Sequence, residues 1–119
     1  MRTTILIVDD HDSFRSWARE VLEEAGYEVV GEAEDGESAI RSFSELRPNV
    51  VLLDIQLPDI DGFEVARRLN GARLPPVVVL TSSRAEADYG LRITRSGARG
   101  FIPKADISRL ALQSVLEGD

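Results

Sequence analysis

The sequence predicts an α/β domain, a parallel β-sheet with helices packed on both faces. Three observations carry the prediction. Short apolar runs rich in β-branched residues recur without polar alternation, which marks strands covered on both sides. Amphipathic stretches of helical period lie between them. The two kinds of segment alternate along the chain as βαβαβαβαβα, an order that favours parallel strands joined by right-handed crossovers. At 119 residues the chain has the size of one domain with one sizeable core, and we expect residues 1–119 to form it.

Residues 5–8 form the first apolar run, ended by Asp9 and Asp10. The first helical stripe is Phe14, Trp17, Ala18, Val21, Leu22 and Ala25, with Asp12 as expected N-cap and Gly26 as stop. Trp17 sits mid-stripe and is expected in the core. Residues 28–30 are a short strand candidate, followed by a helix lined by Ala39, Phe43 and Leu46 that stops before Pro48. Residues 50–53 form the third run, ended by Asp54. Asp61 with Glu64 reads as a variant capping box for a helix through Val65, Ala66 and Leu69, stopped by Gly71. Residues 77–80 form the fourth run, ended by Thr81. Ala87, Leu91 and Thr94 give a weak stripe for a fourth helix, with Gly90 inside it. Residues 101–102 are the fifth strand candidate, and Ile107, Leu110, Ala111, Ser114 and Val115 line a fifth helix capped by Asp106.

Composition removes several function classes. The chain has no cysteine and one histidine, His11, which excludes disulfides, thiolate metal sites and Cys/His zinc sites. A Ser–His–Asp triad has only His11 to use. No apolar run approaches the roughly 20 residues of a membrane span, and the N-terminus lacks a secretory signal pattern. We expect a cytoplasmic protein without membrane contact. The net charge of −7 argues against direct nucleic-acid binding by this domain. The charge is uneven: residues 1–60 carry 14 acids and 5 arginines, net −9, whereas residues 61–119 carry 7 acids and 9 bases, net +2. The only lysine among 14 basic residues is Lys104, which singles out its position.

In open parallel sheets the functional crevice lies outside the carboxyl ends of the strands. There the sequence places Asp9, Asp10, Asp54, Thr81 and, just after the fifth strand, Lys104. Three carboxylates brought together repel one another and call for a cation. All-oxygen ligands suit a hard ion such as Mg²⁺, which can also hold a phosphoryl oxygen. An ammonium and a hydroxyl can take the other two oxygens. The set fits phosphoryl transfer to a carboxylate, where positioning and charge neutralisation supply most of the catalysis.

Four segments carry a more specific signal: residues 5–10 (ILIVDD), 50–62 (VVLLDIQLPDIDG), 77–82 (VVVLTS) and 97–104 (GARGFIPK). In this order and spacing they resemble the receiver domains of response regulators in two-component signal transduction, over essentially the full chain. The resemblance implies a flavodoxin-like sheet of strand order 2-1-3-4-5. It implies Asp54 as phosphoacceptor, Asp9 and Asp10 as the metal-binding pair, and the Gln56 backbone carbonyl as a further ligand of Mg²⁺ or Mn²⁺. Thr81 corresponds to the switch hydroxyl, Phe101 to the switch aromatic and Lys104 to the phosphate-binding lysine. Gln56 and Ser83 would tune hydrolysis. The implied donor is a histidine kinase or phosphotransfer protein. The implied output is a homodimer or downstream contact through the face formed by residues 84–117. Such a protein is a switch that acts on itself, not a metabolic enzyme. One feature departs from the family pattern: many receivers have a proline after the lysine, whereas here Ala105 follows and Pro103 precedes. Pro103 is compatible with an edge strand, and the loop after it is expected to be arranged differently.

Plainer readings stand beside these. Adjacent acids after a strand often serve only a helix dipole. His11 reads as a solvated side chain near the site rather than a proton relay or phosphate receiver. Tyr89 is equally a partner contact or a helix-surface residue. Arg84, Arg92, Arg95, Arg99 and Arg109 are equally a basic partner surface or a solvated face. Two other functions use the same residues. An aspartate-nucleophile phosphohydrolase would place its nucleophile at Asp9 and needs a larger core and a substrate cap. The chain also fits the regulatory part of a longer DNA-binding transcription factor.

Overall fold

The computed structural model describes residues 2–117; Met1, Gly118 and Asp119, included above in the expected domain, lie outside the described residues. Strands and helices alternate as β1 (Thr4–Val8), α1 (Asp12–Glu24), β2 (Glu28–Ala33), α2 (Gly36–Leu46), β3 (Val50–Asp54), α3 (Gly62–Asn70), β4 (Val77–Ser82), α4 (Leu91–Arg95), β5 (Gly100–Pro103) and α5 (Arg109–Glu117). Single 3₁₀ turns at Glu86–Asp88 and Lys104–Asp106 precede α4 and α5. The sheet is fully parallel in the order β2-β1-β3-β4-β5, as the resemblance implied.

The two-residue period of the strands sorts their side chains onto two cores. Leu6, Val8, Val51, Leu53, Val78 and Leu80 pack with Ala39, Phe43, Val65, Ala66, Leu69 and Ile93, so α2, α3 and α4 cover one face. Ile5, Ile7, Val50, Leu52, Val79 and Ile102 pack with Ala18, Leu22 and Leu112, so α1 and α5 cover the other. Both strand faces are dry, which is why the strands read as continuous apolar runs.

Several local expectations are corrected. β2 runs on to Ala33; Ile5 pairs with Val29 and Leu6 with Gly31, so a bulge at Val30 lets the strand continue through a glycine. α1 starts at Asp12 instead of being capped by it; His11 holds the N-cap position without a side-chain cap bond. Trp17 is 41% exposed and leans on Phe14 rather than entering the core. α1 aims Ala18 and Leu22 at the sheet, which leaves Trp17 at the margin of the stripe. Leu46, on α2, is exposed for the same reason.

The caps differ as well. α2 is closed by a capping box between Asp35 and Ser38, and the Asp59 carboxylate, from the loop after β3, accepts the Gly36 and Glu37 N–H groups at 2.8 and 2.9 Å. Asp61 caps α3 through the Glu64 N–H, but the Glu64 carboxylate binds Arg67 and Arg68 rather than completing a box. The fourth helix is broken: Gly90 has φ 56° and ψ −132°, α4 keeps five residues, and Ile93 is buried while Leu91 is exposed. Asp106 lies in a 3₁₀ turn; the Ser108 hydroxyl accepts the Ala111 N–H at the start of α5 instead. That later start changes the buried phase, so Leu112 is enclosed and Leu110 is 75% exposed. Pro103 ends the edge strand β5 opposite Ser82, and the loop after it is the 3₁₀ turn that carries Lys104.

Candidate functional site

The sheet order brings the strand-end residues together. β1 and β4 flank β3, so Asp9 follows directly after Val8 while Asp54 pairs in register with Thr81. Asp9 and Thr81 are fully buried and Asp54 is 2% exposed. The Lys104 ammonium lies 2.6 Å from Asp9 Oδ2 and 3.3 Å from Asp54 Oδ2, with the Phe14 ring 4.8 Å away on its flank. The Gln56 N–H donates to Asp54 Oδ1 at 3.0 Å. Gly62 allows this packing: a Cβ there would collide with the Asp54 carbonyl oxygen, and its N–H donates to the Ile55 carbonyl at 2.7 Å.

Burial, with the Asp9 charge adding to it, pushes the Asp54 carboxyl up to about 6, against the pull of the Gln56 N–H and Lys104. Burial works against the Lys104 charge, but the hydrogen bond to Asp9 and the charge of Asp54 outweigh it and hold the ammonium above the ordinary lysine range. Asp9 Oδ1 accepts the His11 N–H at 2.8 Å and faces His11 Nδ1 at 3.0 Å. Asp9 Oδ1 is thus hydrogen-bonded and Oδ2 faces the Lys104 ammonium, whereas the Asp10 carboxylate is partly open to solvent and, among the described residues, meets His11 Nδ1 alone, at 3.1 Å.

The cluster fits a divalent ion. One ligand atom from each of Asp9, Asp10, His11 and Asp54 can be chosen so that all lie within 4.8 Å of one another. Carboxylates this close, with one lysine among them, have negative charge to spare for Mg²⁺ or Mn²⁺. The buried Thr81 Oγ1 has no hydrogen-bond partner among the described residues, although a buried hydroxyl is normally satisfied. It is an acceptor and donor held in reserve beside Asp54.

The remaining expected residues are more dispersed. Gln56 is exposed, with its backbone N–H on Asp54. Ser83 is exposed. Phe101 is half-buried in β5 and leads an aromatic chain outward to Tyr89, 6.2 Å between rings, and on to Phe63 at 5.7 Å. Tyr89 is not a simple surface residue: its hydroxyl is 2.7 Å from Ser82 Oγ, which also accepts the Arg84 N–H. The five arginines are all exposed. Arg92 and Arg95 line one groove with Phe63 and Glu64, Arg99 donates to the Leu116 carbonyl, and Arg109 lies in a groove against Val21, Glu24 and Ala25. Sequence reasoning passed over Ser82, which only its place after Thr81 could have flagged. It also passed over Arg15, whose guanidinium donates to the Asp9 carbonyl at 2.6 Å while binding Glu32 and Asp12. The Asp12–Arg15 spacing was the available signal.

Residues 5–115 match the response regulator receiver domain family. The chain belongs to that family. This receiver domain is 38% identical over 104 residues to BvgA of Bordetella pertussis, named as a positive transcription regulator of virulence factors; the match covers 87% of this chain and 50% of BvgA. It is 36% identical over 101 residues to the response regulator GacA of Pseudomonas viridiflava, covering 84% of this chain and 47% of that protein. The protein-glutamate methylesterase/protein-glutamine glutaminase of Alkalilimnicola ehrlichii is 39% identical over 112 residues, 91% of this chain but 29% of the enzyme. The chain thus spans about half the length of the regulators it matches, or less. Among solved structures, the signal receiver domain of NarL from Mycobacterium tuberculosis superposes with a TM-score of 0.86 at 34% identity, covering 98% of this chain and 94% of that one.

Proposed function

We propose that Asp54 accepts a phosphoryl group from the phosphohistidine of a kinase or phosphotransfer protein, and that the domain converts this into a changed protein-binding surface. The observation that carries the reading is the setting of Asp54. It is buried at the end of the central strand, with Lys104 on one oxygen, the Gln56 N–H on the other and an unpartnered Thr81 hydroxyl alongside. An Asp54 oxygen attacks phosphorus as the P–N bond to the donor imidazole breaks, and the departing imidazole takes up a proton. Lys104 and Thr81 receive two of the transferred oxygens. Asp10 and Asp54, with Asp9 and the Gln56 carbonyl, would hold Mg²⁺, or Mn²⁺ in its place, which when bound would supply charge neutralisation for the transfer. The match of residues 5–115 to the receiver domain family disfavours the phosphohydrolase reading, which would place its nucleophile at Asp9.

Thr81 moves toward the phosphoryl group, and Phe101 turns into the space it leaves. The output face is residues 84–117, presented to a second copy or a downstream protein. Exposed Gln56 and Ser83 flank the path of the attacking water and set the lifetime. The domain acts on itself, without turnover of a metabolite, and works in the cytoplasm. A second reading places it as the regulatory part of a longer DNA-binding regulator; the coverage of about half of BvgA and GacA favours it.

The test is loading by acetyl phosphate or a phosphohistidine donor, followed by intact-mass and peptide mass spectrometry. The expected result is one phosphoryl group per chain, on Asp54, dependent on Mg²⁺ or Mn²⁺ and lost in Asp54→Asn. Normal loading of that variant, or steady hydrolysis of a phosphate monoester that depends on Asp9, overturns the assignment.

A further inference from the structure

His11, the only histidine in the chain, stands at the acidic cluster without a part in the chemistry above. Its own N–H on Asp9 Oδ1 folds the loop so that Nδ1 sits 3.0 Å from Asp9 Oδ1 and 3.1 Å from Asp10 Oδ1. Two ligands at right angles on bonds of about 2.1 Å stand about 3.0 Å apart, so these separations are those of adjacent corners in an octahedral site. The ring is otherwise exposed, which leaves the way to solvent open. A separate observation marks the pocket as made for a ligand: the buried, unpartnered Thr81 Oγ1, level with Asp54 on the neighbouring strand.

We propose that His11 Nδ1 is a direct metal ligand, making this a mixed nitrogen–oxygen centre that selects Mn²⁺ and Co²⁺ over Mg²⁺. The inference rests on reading the acidic cluster as a metal site, and adds the residue that sets its preference. Imidazole suits first-row transition ions, whereas Mg²⁺ prefers oxygen and keeps its waters, so the nitrogen strengthens the former and adds little to the latter. An imidazole that only hydrogen-bonds the two carboxylates would compete with every cation alike.

The experiment titrates the purified chain and its His11→Ala variant with Mg²⁺, Mn²⁺ and Co²⁺ by calorimetry, and records pulsed electron paramagnetic resonance of the Mn²⁺-loaded protein. The expected result is a tenfold or greater loss of Mn²⁺ and Co²⁺ affinity in the variant with Mg²⁺ affinity changed less than about twofold. The Mn²⁺ spectrum should show ¹⁴N coupling from a bound imidazole that His11→Ala removes. Equal changes for all three ions, or no ¹⁴N coupling in the unaltered protein, overturns the proposal while leaving the acidic metal site standing. Failure of all three ions to bind the unaltered protein overturns both.

Discussion

At Asp54 the carboxyl is raised to about 6 from an ordinary 3.8, burial being the main cause. A carboxyl whose pKa rises on folding is bound to its proton more tightly in the native state. Stability is therefore greatest below the unfolded value and falls as pH climbs through about 6. In metal-free protein Asp54→Asn should be the more stable form at pH 7.5, by on the order of 2–3 kcal/mol. The advantage should shrink below about 1 kcal/mol at pH 4. Urea denaturation of both proteins in chelator at the two pH values checks this, and an advantage of equal size at both would refute it. At this scale much of the site was legible: Asp9, Asp54 and Thr81 are polar residues that end dry apolar runs, and Lys104 is the only lysine. What was not legible is set by the geometry of short turns. The path after β4 that brings Tyr89 to Ser82 has no pattern of its own, and the Asp12–Arg15 spacing signals their ion pair but not the bond from Arg15 to the Asp9 carbonyl.

Among the elements, α3 approaches the central strand so closely that its first residue must lack a side chain. Gly62→Ala should cost about 1–3 kcal/mol, because its Cβ would meet the Asp54 backbone, which cannot move away as a flexible side chain could. It should also reduce Asp54 loading, since the strand end would shift. Loading unchanged at full stability would show that the close approach is dispensable. The segment between β4 and β5 is held differently, by the Ser82–Tyr89 hydroxyl pair and the Tyr89–Phe101 ring contact. Tyr89→Phe should keep the rings and lose the hydroxyl bond, lowering stability by about 1 kcal/mol. It should speed amide hydrogen exchange across residues 86–95, and unaltered exchange there would mean the bond does not restrain the segment. This is also where the sequence pattern was weakest. An amphipathic stripe announces a helix, but the φ of Gly90 and the late start of α5 after Ser108 decide which residues turn inward. Leu110 and Leu112 could not be told apart without that phase.

For the whole molecule, the switch predicts that a phosphoryl mimic at Asp54 is felt at a distance. Beryllofluoride with Mg²⁺ should shift backbone amide resonances beyond the site, across residues 84–109. Shifts confined to the neighbourhood of Asp10 and Asp54 would rule out transmission through Thr81 and Phe101. The overall architecture was readable because alternation and dry strands leave few alternatives; the fine order of the strands came only with the resemblance. That order, β2-β1-β3-β4-β5, also divides the charge. The strands on one flank, β2 and β1, come from the strongly acidic first half of the chain, and those on the other, β4 and β5, from the weakly basic second half, with β3 on the boundary. An imbalance along the sequence becomes a dipole across the sheet. A charged partner approaching by diffusion is turned before it touches, so the speed of encounter, more than the strength of the final complex, should fall as salt is added.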